Sequence, residues 1–189
     1  MFILYSIVIG LVAGIAVGGR PEGLGTLHFR WSALMLAGML VQVVLFSEPV
    51  SARVGDWGPP IYVGSTALVL AAVLANVSIP GMALVAAGAV SNLAAIVANG
   101  GYMPAARSAL AALGKTDPTT YSNSAALANP ALEPLTDIFA MPTWLPFANV
   151  FSVGDVLITA GVAATIVMAM RRTADRTAAA TAPGGSVAN

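Results

Sequence analysis

Residues 61–99, IYVGSTALVLAAVLANVSIPGMALVAAGAVSNLAAIVAN, decide the fold. They read as two apolar runs, Ile61 to Ser78 and Gly81 to Asn99, separated only by Ile79 and Pro80. A hydrocarbon core about 30 Å thick is crossed by roughly 20 residues of helix, so each run is long enough for one span. Proline lacks an amide proton and clashes with the preceding turn, so Pro80 ends a helix. The two runs therefore fold back as a tight antiparallel hairpin.

Three further runs of this kind lie outside the hairpin: Phe2 to Gly19, Trp31 to Ser47 and Ser152 to Met170. Five spans make an all-α, polytopic membrane protein, because an open sheet would leave backbone groups unpaired in lipid. Composition points the same way. The 189 residues are 58% hydrophobic and 8% charged, where soluble domains carry about 25% charged residues. Eight acidic and eight basic side chains cannot supply a polar shell for a domain of this size. One membrane domain over residues 1–171 is expected. The small, polar tail at 172–189 is expected to be disordered.

Arg20 and Arg30 sit in the first loop, and Arg171, Arg172 and Arg176 follow the last span. With five spans these share a side, opposite Arg53, Arg107 and Lys115. Basic residues favour the cytoplasm, so the N-terminus of this multi-pass chain is expected outside and the C-terminus in the cytoplasm. Met1 to Ile9 lacks the positive start of a secretory signal and reads as part of a retained first span. Gly100 to Phe151 becomes an outward loop region too long for a plain connector. Within it, Met103 to Leu113 suits an interfacial helix with Leu110 and Leu113 inward.

A net charge of zero provides no field to attract nucleic acid, so no such partner is expected. Zero cysteines exclude disulfides, thiolate metal sites, iron–sulfur ligation and a cysteine nucleophile. His28 is the single histidine and has no acidic cluster near it in sequence. Neither a metal site nor a cofactor is predicted. No internal repeat of the transporter kind is visible.

Several residues within or beside the spans are candidates for packing or chemistry. Gly10, Gly14 and Gly18 recur every four residues and let another helix come close, either within the chain or in a membrane-protein partner or second copy. Gln42, Asn76, Ser91, Asn92 and Asn99 are uncharged polar residues that bond between helices or line a polar pocket. Gln42, Asn92, Asn99 and Asn149 form the candidate ligand-pocket set. Asp155 falls near the start of the last span. Beside Ser152 and Gly154 it suits the first turn of a helix, where a carboxylate complements exposed amides. A carboxylate in a span is also a functional-site hypothesis. Paired with Asp137, eighteen residues earlier, it could share a proton and activate water, making the two a candidate catalytic pair.

The segments NLAAIVANGGYMP (Asn92 to Pro104), PLTDIFAMP (Pro134 to Pro142) and LPFANVFSVGDVLITAG (Leu145 to Gly161), with GGRPEGLGTLHFRW around the first loop, resemble the bacterial membrane-protein family called domain of unknown function 5317. That resemblance covers most of residues 1–170 and implies a helical membrane fold without an activity. A local resemblance links FANVFSVGD (Phe147 to Asp155) to lipoprotein signal peptidase, an aspartyl protease of the bacterial membrane. It implies catalytic roles for Asp155 and Asp137. Asp137 nevertheless lacks the asparagine-x-x-aspartate-arginine setting of that family, and extra residues separate Asn149 from Asp155.

These features favour a non-catalytic subunit or scaffold of a membrane complex. The alternatives are an aspartyl-type enzyme acting at the outer leaflet through Asp137 and Asp155, and a protein that binds or carries a small ligand such as a quinone or lipid.

Overall fold

The computed structural model describes residues 2–114, 124–125 and 127–181, with side chains over 4–114 and 127–175. Long helices occupy the apolar runs: α1 (Phe2–Ala16), α2 (Ser32–Leu45), α4 (Gly58–Leu74), α5 (Met82–Ala98) and α7 (Val153–Thr181). Two short helices, α3 (Glu48–Ser51) and α6 (Arg107–Ala112), lie in the connections. Two helical stretches are long and apolar enough to cross a bilayer. Gly55–Leu74 has 20 residues with a mean hydropathy of 1.5, and Val153–Asp175 has 23 with 1.9. The other three long helices have 15, 14 and 17 residues, or about 21–26 Å at 1.5 Å per residue.

The helices pack in a row that departs from chain order: α2 on α4, α4 on α5, α5 on α7, and α7 on α1. Glycine contacts give their directions. A Cβ at Gly88 would lie 2.3 Å from the Gly154 carbonyl oxygen, and one at Gly161 would lie 2.7 Å from that of Gly81. Rising numbers on α5 therefore meet falling numbers on α7, so the pair is antiparallel with backbones touching. Gly81 is glycine for two reasons: its φ is +93°, and a Cβ there would strike the Gly161 carbonyl at 2.4 Å. On α1, Gly10 faces Ile166 and Gly14 faces Met170, so α1 runs parallel to α7. Gly18 lies beyond the end of α1 at φ +76°, with nothing within 4 Å. It turns the chain instead of extending the face formed by Gly10 and Gly14, and Gly19 makes the next contact with Met170.

The turn between α4 and α5 spans residues 75–81 and contains Pro80, the breaker expected from sequence. Few large side chains are fully enclosed, Ile96 and Met170 among them. Much of the apolar surface points outward instead. Val8, Val12 and Ile15 on α1 and Leu36, Leu40 and Val43 on α2 are all more than half exposed.

The described residues between 100 and 151 fold back over one end of the row and are not wholly helical. Strands β1 (Met103–Pro104) and β2 (Ser124–Ala125) pair in parallel, and β3 (Phe139–Ala140) pairs antiparallel with β4 (Val150–Phe151). Away from helices, backbone donors and acceptors must find partners in short ladders. Phe139 and Phe151 stack across the second ladder with centroids 5.3 Å apart. The expected helix from Met103 is shorter, beginning at Arg107, because Met103 and Pro104 are drawn into β1. Its Leu110 is buried against Ala105, Ala109 and Val150. Most of the polar stretch between Gly114 and Asn129 lies outside the described residues.

Instead of ending near Met170, α7 continues through Arg171 and Arg172 to Thr181. The extension, TADRTAAAT, is alanine-rich, and alanine is the best helix former. Residues 182–189 of the expected disordered tail lie outside the described residues.

Candidate functional site

α2 and α7 stand on opposite sides of a cleft floored by α4 and α5. Its volume is about 520 Å³, within the range of roughly 300–1,000 Å³ usual for small-molecule sites. The walls are chiefly apolar, among them Met35 and Met39 from α2, Val69 from α4, Val85 from α5, and Ile158 and Val162 from α7. Leu27 and Phe29 from the first loop close one end.

That loop is held by Asn76. The Asn76 side-chain amide donates to the carbonyls of Arg30 and Ala72 at 2.8 and 2.7 Å. Its oxygen accepts from the Arg30 amide at 2.8 Å. Asn76 is 2% exposed, so the turn just past α4 is tied to the end of the first loop, at Arg30, 46 residues earlier. The loop also rests on α7, where the Arg20 amide donates to the Met170 carbonyl at 2.9 Å. Thr165 Oγ1 lies 2.8 Å from the Pro80 carbonyl and 2.9 Å from that of Gly161, joining α7 to the α4–α5 turn.

Polar groups gather at the other end of the cleft. Gln42 donates from Nε2 to Thr66 Oγ1 at 3.2 Å, and Thr66 donates to the Tyr62 carbonyl at 2.8 Å. Opposite them, Asn92, Ser152 and Asp155 close a ring. Asn92 Nδ2 donates to Asp155 Oδ1 at 2.8 Å, the Ser152 amide donates to Asp155 Oδ2 at 3.0 Å, and Ser152 Oγ donates to Asn92 Oδ1 at 2.9 Å. The Asp155 amide donates back to Ser152 Oγ at 3.1 Å. Ser152 and Asp155 thus form a reciprocal cap on the first turn of α7, with Asn92 of α5 locked into it. Gly154 makes the approach feasible, since a Cβ there would lie 1.9 Å from Asn92 Oδ1.

Among the residues singled out from sequence, Gln42, Asn92 and Asp155 meet around this cleft. Asn99 is engaged elsewhere: its side chain donates to the Ala131 carbonyl and accepts from the Ala131 amide, both at 2.8 Å. Asn149 belongs to the second ladder, where its carbonyl accepts from the Met141 amide at 3.0 Å. Asp137 is buried in the loop region. Its amide donates to the Pro104 carbonyl at 2.9 Å, and its carbonyl accepts from the Ala106 amide at 3.0 Å. Asp137 is not among the residues lining the cleft, whereas both Asp155 oxygens are held by Asn92 and Ser152.

Sequence reasoning did not single out Thr66 for the cleft, nor the loop residues Leu27 and Phe29. The link between Asn92 and Asp155 spans 63 residues and leaves no local spacing to find. Only the Ser152-x-x-Asp155 cap is visible in the string itself.

Among the described residues, no group of three or more His, Cys, Asp or Glu side chains is arranged to hold a metal. No curated protein and no solved structure matches the chain. A family model described as a family of unknown function, DUF5317, matches residues 26–167. This stretch takes in α2, the hairpin, the loop region and the first half of α7, including every polar residue of the cleft, and the chain belongs to that family.

Proposed function

We propose that this chain is a five-span protein of the bacterial inner membrane whose cleft binds a small apolar ligand, quinone-like or lipid-like. The cleft carries this reading. An open-sided hollow of about 520 Å³ walled by methionine, valine and isoleucine presents apolar surface that an apolar molecule would cover. Gln42, Thr66, Asn92 and Asp155 gather towards one end, the pattern of a site that orients its occupant.

The five-span arrangement draws support from the alternating directions of the helices, with α1 parallel to α7 and antiparallel pairs between. Outward apolar side chains on α1 and α2 suit lipid as the surrounding solvent. An aspartyl-type enzyme would need two carboxyls near enough to share a proton, and the partners of Asp155 are instead an amide side chain and a backbone amide. Asp155 serves here as the lock that fixes the polar end.

The test is extraction. Protein purified from its own membranes in mild detergent is expected to release a stoichiometric apolar compound into organic solvent, detected by mass spectrometry. Val162→Trp, which fills the cleft, is expected to lose that compound while keeping its helical circular dichroism. A wild-type protein that releases nothing, or a Val162→Trp variant that retains the compound unchanged, would overturn the reading.

A further inference from the structure

At the loop end of the cleft lies a second hollow of about 330 Å³, and its chemistry differs from that of the cleft. His28 and Arg172 line it together with the hydroxyl-bearing Thr26, Ser78 and Thr173, and no carboxylate does. Leu27 and Thr165 line both hollows, so the two adjoin. We infer that the occupant of the cleft is an anionic lipid, its phosphate held by His28 and Arg172 and an acyl chain laid along the cleft toward Asn92. The inference rests on the cleft being a ligand site.

Charge sets the polarity of the occupant. Asp155 stands at the far end of the cleft and repels an anion, whereas the near end offers a guanidinium, an imidazole and four hydroxyls. Arginine presents a planar fork of donors matched to phosphate oxygens. The ring of His28 is held by a 2.9 Å contact between Nδ1 and the Thr26 carbonyl. Since a carbonyl only accepts, Nδ1 carries a proton, and Nε2 donates to a phosphate oxygen in the doubly protonated ring.

Length agrees with an acyl chain. From Thr165 to Asp155 is ten residues of α7, about 15 Å, or half of a hydrocarbon core about 30 Å thick. One leaflet's chain therefore fits between the hollow and the polar ring. Entry is lateral, because the principal partner of α2 is α4 and that of α7 is α5 or α1, so the two walls do not seal against each other. A basic pocket between helices at the bilayer surface, continuous with an apolar groove, is the form in which phospholipid headgroups are held.

Native mass spectrometry of the full chain, reconstituted with phosphatidylglycerol and phosphatidylcholine of identical acyl chains, tests this. Wild type is expected to retain the anionic lipid at least about fivefold better, the value of one basic side chain at a membrane surface. The double variant His28→Asn, Arg172→Gln is expected to lose that preference. Both side chains are exposed, so the fold is expected to survive, and circular dichroism checks it. Arg171→Gln, whose side chain does not line the hollow, is expected to retain the preference. Equal retention of the two lipids, or an Arg171→Gln effect as large as the double variant's, overturns the inference. If Val162→Trp abolishes binding of both lipids while wild type shows no preference, only the anionic assignment fails. If Val162→Trp binds as wild type does, the cleft reading fails with it. Inorganic phosphate added to delipidated protein separates the sources. Thermal stabilisation by phosphate that requires Arg172, without a lipid preference, would assign the hollow to a soluble anion and overturn the lipid.

Discussion

Gly154 is hemmed in on two sides. Its missing side chain admits Asn92 to the first turn of α7, and it lies against the Gly88 carbonyl at the same time. Gly154→Ala would force a methyl group to within 1.9 Å of Asn92 Oδ1 and 2.8 Å of that carbonyl. Either the helices part or the ring of Asn92, Ser152 and Asp155 opens, and a cost of about 1–3 kcal/mol or more is expected from overpacking. Gly64 provides the contrast: a Cβ there meets nothing within 4 Å, so Gly64→Ala is expected to raise stability by roughly 0.5–1 kcal/mol. Thermal unfolding of the two variants in one detergent checks both signs, and equal midpoints would refute the packing argument. The value of Gly154 could not be read from the string, since the atoms it makes room for come from a residue 62 positions earlier. The capping partnership of Ser152 and Asp155 was legible because it lies within one turn.

At the scale of elements, the hairpin was the easiest part to anticipate. Two apolar runs with Pro80 between them leave a chain in lipid little choice. The first loop was not legible, because what holds it is a single buried amide, Asn76, bonded to a backbone 46 residues away. Three hydrogen bonds converge on that side chain, each with a net worth of about 1 kcal/mol. Asn76→Ala is expected to release the loop locally without unfolding the helices. Hydrogen exchange at the Arg30 amide, which now donates to the Asn76 side chain, should accelerate by an order of magnitude or more, while amides within α5 stay protected. Unchanged exchange at Arg30 would show that the loop is held by its contacts with α7 instead. The small ladders of residues 100–151 were missed because two-residue strands carry no periodicity.

For the whole molecule, the sequence conveys the order of apolar segments but not which of them become neighbours. The row α2–α4–α5–α7–α1 places the first and last long helices side by side, a fact carried by Gly10 and Gly14 against Ile166 and Met170. The proposed topology is directly measurable because the chain contains no cysteine. Single cysteines at Ala52, Thr143 and Gly25, all exposed, would report sidedness to a membrane-impermeant maleimide. Positions 52 and 143 are expected to label in intact cells, and position 25 only after permeabilisation. The reverse pattern would invert the orientation, and labelling of 25 together with 52 would reduce the number of spans.

The docking of α1 on α7 also bears on biosynthesis. The ribosome delivers α1 well before α7, yet α7 is the chief companion of α1. In the proposed five-span topology, α1 would wait in the bilayer with its glycine face towards lipid until α7 emerges beside it. On that reading, a nascent chain interrupted anywhere before Val153 leaves the glycine face of α1 unclaimed, open to the insertion machinery and to quality-control proteases.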